Sequence, residues 1–184
     1  MAKNWMSSLK NANNEWIALI TSKSSNYFES NIKIIKFLAK TKGMNGVLVV
    51  LNRPFSDFRD RLKKEKIDPS KFFIIDCATK LSDSQPKRQE NVLFLSSPRN
   101  LSDVSVAIDQ GLNAIEGDKF LFLDSLSTLL IYHESTTITQ FIHFLTSKLR
   151  NSKVKGVIIL LEKDLNDKIG KVVSQFADMV LEVR

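Results

Sequence analysis

KFLFLDSLSTLLIY, residues 119–132, indicates the fold more strongly than any other part of the sequence. Phe120–Leu123 is a continuous apolar run, and its lack of alternation predicts a strand buried on both faces, as in the middle of a parallel sheet. An acidic residue directly after such a strand lies at the carboxyl edge of the sheet, where α/β proteins usually bind ligands. The stretch therefore predicts an α/β fold with a candidate site at Asp124 and Ser125.

Similar apolar runs on both sides of this stretch alternate with helical patterns. Further strands are predicted at Glu15–Thr21, Val47–Leu51, Phe72–Ile75, Val92–Leu95, Val157–Leu161 and Met179–Val183. Helices are predicted near Asn31–Lys42, after Pro54, Asn100 and Ser135, and, as a short helix or turn, at Leu165–Gln175. This alternation predicts a mostly parallel central sheet flanked by helices on both faces. We expect a single domain over residues 1–184, with a polar, loosely packed segment at residues 1–14.

Composition is that of an ordinary globular protein, with 43% hydrophobic and 26% charged residues. The one cysteine, Cys77, cannot form an internal disulfide, which favours a reducing compartment. No apolar run approaches the ~20 residues that span a bilayer. We therefore expect a cytoplasmic protein that does not enter a membrane.

The positive charge lies in the first half of the chain. Residues 1–99 contain 18 Lys and Arg against 9 Asp and Glu, whereas residues 100–184 contain 9 against 11. Such asymmetry is typical either of a surface for nucleic acid or of solvated helix faces. If nucleic acid binds, the expected contacts are Arg59, Arg61, Lys63 and Lys64, which share the exposed side of one predicted helix, and the binding is expected to be weak.

Motifs of the common enzyme classes are absent. The sequence contains no C-x-x-C, H-E-x-x-H or G-x-S-x-G pattern. Its two histidines, His133 and His143, have no cysteine partners nearby in sequence and no spacing that favours a zinc site or a catalytic triad.

The order of elements nevertheless resembles a known superfamily. The sequence from Phe120 to Val183, including DSLSTLLIY and FADMVLEV, is similar to that of RecA/RadA/KaiC-like ATPases, and particularly to archaeal KaiC-like members. The upstream stretch VLVVLNRPFSDFRDRLKKEKIDPSKFFIID also resembles their second strand, helix and third strand. The resemblance covers roughly residues 15 to 183. It implies a RecA-like P-loop NTPase fold, with Asp124 and Ser125 at the Walker B position, where the acid holds Mg²⁺.

Two departures from this superfamily concern catalysis. Its phosphate-binding motif, G-x-x-x-x-G-K-[ST], corresponds here to TSKSSNYFES, residues 21–30, which contains no glycine. Tyr27 and Phe28 are expected to occupy the space that a phosphate needs. The acid that activates water in these ATPases is replaced by Asn52-Arg53-Pro54.

The resemblance and its departures together imply a catalytically inactive RecA/KaiC-like domain. We expect it to act as a regulatory or scaffolding protein without a cofactor, through contacts with a related ATPase or with a second copy of itself. One alternative is a divergent nucleotide-binding protein that holds ATP and Mg²⁺ with Asp124 and either Lys23 or Arg53. Another is an accessory nucleic-acid-binding protein. If Asp124 has only a structural role, we expect it to form hydrogen bonds around Ser22–Asn26.

Overall fold

A parallel sheet of seven strands forms the centre of the computed structural model, which describes residues 4–12 and 15–183. The strands are β1 Ile17–Ser22, β2 Asn45–Val50, β3 Phe72–Asp76, β4 Val92–Phe94, β5 Lys119–Asp124, β6 Lys155–Leu161 and β7 Met179–Val183. Their order across the sheet is β4-β3-β2-β5-β6-β1-β7, and every neighbouring pair is parallel. The predicted α/β architecture is confirmed.

Helices cover both faces of this sheet. They are α1 Trp5–Asn11, α2 Tyr27–Lys36, α3 Phe55–Lys64, α4 Leu101–Ala114, α5 Leu126–Leu129, α6 Ser135–Asn151, α7 Glu162–Leu165 and α8 Lys168–Val173, and a π-helical turn at Phe37–Thr41 extends α2. One hydrophobic core lies between the sheet and helices α1, α2 and α3. The other lies between the opposite face and helices α4, α5, α6 and α8. None of the described helices is long and apolar enough to cross a membrane.

Strand β5 is buried on both faces, as its apolar run predicted. Phe120 and Phe122 belong to the core beneath α2 and α3, whereas Leu121 and Leu123 belong to the opposite core. Because successive side chains of a strand point to opposite faces, Asp124 faces the same side as Phe120 and Phe122. The carboxyl group therefore lies in the layer that α2 covers.

The N-terminal segment is not loosely packed, and that prediction was wrong for the residues described. Residues 5–11 form α1, and the side chain of Asn4 caps it by accepting a hydrogen bond from the backbone N–H of Met6 at 3.1 Å. Trp5 packs edge-on against Phe37, with 5.6 Å between ring centroids, and Leu9 is fully buried. These two apolar side chains, one helical turn apart, are enough to attach the helix to the core. Residues 1–3, 13 and 14 lie outside the described part of the chain.

Truncating Leu9 tests this packing. We expect Leu9→Ala to lower the free energy of unfolding by about 2–5 kcal/mol, because it removes a fully buried side chain and leaves a cavity. Met6→Ala on the same helix is the control, since Met6 is 42% exposed and its loss should change stability by about 0.5 kcal/mol or less. Urea denaturation measures both. Equal midpoints for the two variants would contradict the packing of α1.

Candidate functional site

A cleft of ≈ 430 Å³ opens at the carboxyl edge of the sheet. Its wall is formed by residues at the ends of four strands or just after them: Ser24 and Tyr27 after β1, Asn52 after β2, Ser125, Ser127, Thr128, Leu130 and Ile131 after β5, and Leu161, Lys163 and Asp164 at the end of β6. Hydroxyl groups dominate its polar part. A pocket of this size, at the position where parallel sheets usually bind ligands, is the candidate site of the molecule.

A chain of side-chain hydrogen bonds fixes one wall of the cleft. The Thr128 hydroxyl donates to Asn52 Oδ1 at 2.5 Å, and Asn52 Nδ2 donates to the Tyr27 hydroxyl at 3.2 Å. The hydroxyl oxygens of Ser125 and Thr128 are 3.0 Å apart. Asn52 thereby links α2 to α5 across the edge of the sheet. From the sequence, Asn52 was identified only as the replacement for an acid. Thr128 was missed, and the one feature that could have indicated it is its position four residues after the end of β5.

Helix α2 begins at Tyr27, four residues earlier than predicted. Only Lys23 and a single 3₁₀ turn, Ser24–Asn26, separate it from β1, and the Asn26 N–H already donates to the Lys23 carbonyl at 3.2 Å. Tyr27 lines the cleft. Phe28 does not line it, because its ring packs edge-on against Phe58 at a centroid distance of 5.1 Å.

The carboxyl group of Asp124 is fully buried and has no hydrogen-bond partner within the described residues. The expected hydrogen bonds around Ser22–Asn26 are therefore absent from this part of the chain, and that prediction was wrong. Burial without a partner disfavours the charged form and raises the pKa of Asp124 to about 8. Its main-chain carbonyl, in contrast, accepts a hydrogen bond from the Leu51 N–H at 2.8 Å.

A second buried acid shows what a structural carboxylate looks like in this fold. Asp76 ends β3 and is as completely buried as Asp124. It accepts hydrogen bonds from the backbone N–H groups of Phe55, Ala78 and Thr79 at 2.7, 2.7 and 2.8 Å, and from the Thr79 hydroxyl at 2.5 Å. Asp76 therefore joins the ends of two loops, whereas the side chain of Asp124 joins nothing among the described residues.

Several other buried polar atoms without partners belong to the end of β1, the turn after it and the start of α2. Among the described residues they include Ser22 Oγ, Asn26 Oδ1, Ser30 Oγ and both amide atoms of Asn31. Ser22 shares the face of Ala18 and Ile20 on β1, which is the face of Asp124, and the first two turns of α2 cover this edge. Buried polar groups require water, an ion or each other as partners.

The buried Asp124 carboxyl group suits a hard cation better than a phosphate. Oxygen atoms are the ligands that Mg²⁺ prefers, and Mg²⁺ often uses only one protein carboxylate. No three His, Cys, Asp or Glu side chains come together in residues 4–12 and 15–183. A phosphate would need free backbone N–H groups on the cleft wall, which glycine-rich loops usually provide. Residues 21–30 contain no glycine. Asp124 itself is not among the residues that line the cleft.

The four basic residues proposed for nucleic acid lie on α3, but two of them already have acidic neighbours. Arg61 forms ion pairs with Glu29 and, at 3.5 Å, with Glu65. Arg59 pairs with Asp60 at 3.2 Å. Lys63 and Lys64 are exposed. Nucleic-acid binding by α3 stays a prediction, with less free charge than the sequence implied.

Comparison with solved structures defines the fold. The KaiC-like protein PH0186 from the hyperthermophilic archaeon Pyrococcus horikoshii OT3 superposes with a TM-score of 0.65 and 16% identity, over 93% of this chain and 73% of that one. The protein PH0250 from the same organism gives a TM-score of 0.62 and 9% identity, over 97% and 86%. These similarities show that the chain has the RecA-like fold of KaiC-like proteins.

A family model places the sequence more narrowly. Residues 35–183 match the model described as "Family of unknown function (DUF7504)", and the chain belongs to this family. No curated protein matches the sequence.

Replacing Asp124 by asparagine tests the burial of its carboxyl group. The folded-state pKa, about 8, lies above the ordinary value of 3.8, so between these values the unfolded chain releases a proton that the folded protein retains. As the pH rises through this window, we therefore expect the wild type to lose about 1.4 kcal/mol of stability per pH unit relative to Asp124→Asn. Above the window, the difference between the two proteins should be constant. Urea denaturation at a series of pH values measures it. Parallel stability curves would contradict the burial.

Proposed function

We propose that this protein is a RecA/KaiC-like domain that does not hydrolyse ATP and acts as a regulatory or scaffolding protein through protein–protein contacts. Its partner is a related ATPase or a second copy of the chain, and it uses no cofactor. The observation that carries the proposal is the position of Asn52 and its hydrogen bonds. This amide stands where the resemblance puts the water-activating acid, and it is held between Tyr27 and Thr128. An amide cannot accept the proton of an attacking water.

The start of α2 supports the same proposal. In P-loop proteins, glycines allow backbone N–H groups to surround the phosphates at the beginning of this helix. Here the corresponding loop is reduced to one 3₁₀ turn, and the side chain of Tyr27 stands on the cleft wall. A degenerate phosphate loop and an amide in place of the base are independent obstacles to hydrolysis.

ATP turnover is the direct test. We expect the purified protein to release phosphate from Mg²⁺–ATP no faster than a mock purification. The reason is that, under this proposal, the protein has neither a phosphate-binding loop nor a general base. Asp124→Ala is the matched variant and should give the same background rate. Turnover that is clear in the wild type and disappears in Asp124→Ala would overturn the proposal.

The buried Asp124 carboxyl group, which has no hydrogen-bond partner among the described residues, favours a second candidate. This candidate is a divergent nucleotide-binding protein without rapid hydrolysis. A buried carboxyl group without partners is a ligand that Mg²⁺ could use together with phosphate oxygens. Of the two cations considered for such a pocket, Lys23 is exposed at the start of the loop. Arg53 is engaged by Asp57 at 3.5 Å and lies 4.7 Å from the centre of the Phe28 ring.

Thermal unfolding with ligand separates the two candidates. Binding to the folded state alone stabilises by about 2.7 kcal/mol at a ligand concentration of about 100 times Kd. For the first candidate we expect the same melting temperature in buffer, with Mg²⁺ and with Mg²⁺–ATP. A midpoint that rises with Mg²⁺–ATP in the wild type but not in Asp124→Asn or Asp124→Ala would select the second candidate.

A further inference from the structure

Strand β4, at one edge of the sheet, has backbone groups that face away from the protein. Among the described strands it pairs only with β3, where the Ile74 N–H donates to the Asn91 carbonyl and the Leu95 N–H donates to the Asp76 carbonyl, both at 2.8 Å. In a parallel ladder alternate residues bond to the same neighbour, so the N–H and C=O groups of Val92 and Phe94 point outwards. No described residue pairs with them. An edge of this kind is a template for another strand.

A groove of ≈ 890 Å³ runs along this edge. Its walls include Phe73 and the three residues of β4, all of which are partly exposed. A second groove, of ≈ 320 Å³, continues past Phe94 to Phe55 on α3. Side chains of an added strand would therefore find apolar surface on both faces of the sheet edge.

The rims of both grooves are basic. Lys80 and Arg88 line the larger groove and Lys87 lines the smaller one, and none of the three has an ion-pair partner among the described residues. Glu90 is the acidic residue in the larger groove. The free cations favour a partner with carboxylate side chains.

We propose that the β4 edge binds an extended peptide segment of a partner protein as an additional strand, and that this segment carries both apolar and acidic side chains. Main-chain hydrogen bonds from Val92 and Phe94 give such binding its affinity, and the grooves and cations select the side chains. A single-stranded nucleic acid would use the cations and aromatic rings but has no use for the strand edge. The inference names a partner class for the contacts proposed above and rests on that proposal.

The probe is a fluorescein-labelled peptide of about ten residues that alternates valine and glutamate, and fluorescence anisotropy measures its binding. We expect saturable binding to the full chain. Phe94→Pro should weaken it by about tenfold or more, because proline removes an outward N–H, and proline is tolerated at edge strands. Phe94→Ala is the matched control, which loses the ring but keeps the N–H and should bind more tightly than Phe94→Pro.

A change in the peptide keeps the test valid if Phe94→Pro does not fold. The same peptide with N-methyl groups on alternate residues cannot donate along one edge, and we expect it to bind wild-type protein about tenfold more weakly or not at all. Equal affinity for the methylated and unmethylated peptides would overturn the proposal, as would the absence of saturable binding.

Charge reversal tests the basic rim. We expect Lys80→Glu, Lys87→Glu and Arg88→Glu together to weaken binding by about tenfold or more. The control combines Lys153→Glu, Lys168→Glu and Lys171→Glu, an equal charge change at exposed positions in the second half of the chain, and it should bind like the wild type. Equal losses in both triple variants, or saturable binding of oligothymidine but not of the peptide, would overturn the proposal.

Failure here and failure of the proposed function are distinguishable. ATP turnover that depends on Asp124 would overturn the proposed function and leave the peptide titration unchanged. Absence of peptide binding would remove the β4 edge as the contact site and leave the turnover and melting results unchanged.

Discussion

Burial of the Asp124 carboxyl group is the constraint on which the chemistry of the carboxyl edge depends. Strand β5 lies between β2 and β6 and has a helical layer on each face, so an acid at its end faces the interior rather than water. Burial raises its pKa to about 8, and the group is therefore mostly protonated at neutral pH. Among the described residues, the buried polar groups without partners at the end of β1 and around the start of α2 belong to neutral side chains: Ser22, Asn26, Ser30 and Asn31.

The early start of α2 explains how the interior is closed. Because a single turn connects β1 to the helix, its first residues cover the edge, and Ser30 and Asn31 are fully buried. The Tyr27 hydroxyl then reaches Asn52, and Asn52 reaches Thr128. Side-chain hydrogen bonds therefore connect the segments that follow β1, β2 and β5 and fix this wall of the cleft.

The strands could be predicted from sequence because most contain a continuous apolar run, and β7, although Glu182 interrupts its apolar residues, has the predicted bounds, Met179–Val183. Helix α1 could not be predicted in this way, since Trp5 and Leu9 are its only buried residues. The start of α2 was misplaced because Ser30 and Asn31 are polar and yet buried, which polarity patterns cannot indicate.

The two buried acids show a similar limit at the site. Asp76 and Asp124 each follow an apolar strand, and nothing in the sequence separates them. Their difference arises from the neighbouring loops: the loop after β3 turns back so that its own N–H groups reach Asp76. Ser125, the residue after Asp124, instead precedes α5, and its side chain caps that helix. Only the tertiary structure decides which carboxyl group has partners.

The distribution of free groups along the sheet also bears on how the protein makes contacts. At the carboxyl edge Asn52 joins Tyr27 to Thr128 through hydrogen bonds, and on α3 the charges of Arg59 and Arg61 are paired with acids. At β4 the situation is reversed. The outward backbone groups of Val92 and Phe94 have no partner among the described residues. Nor do the side chains of Lys80, Lys87 and Arg88 have an ion-pair partner there. Unpaired strand edges are a liability that natural proteins usually cover or charge. Two such basic edges repel each other, whereas a strand with acidic side chains complements the charge. The charge of the edge therefore selects which strands can pair with it.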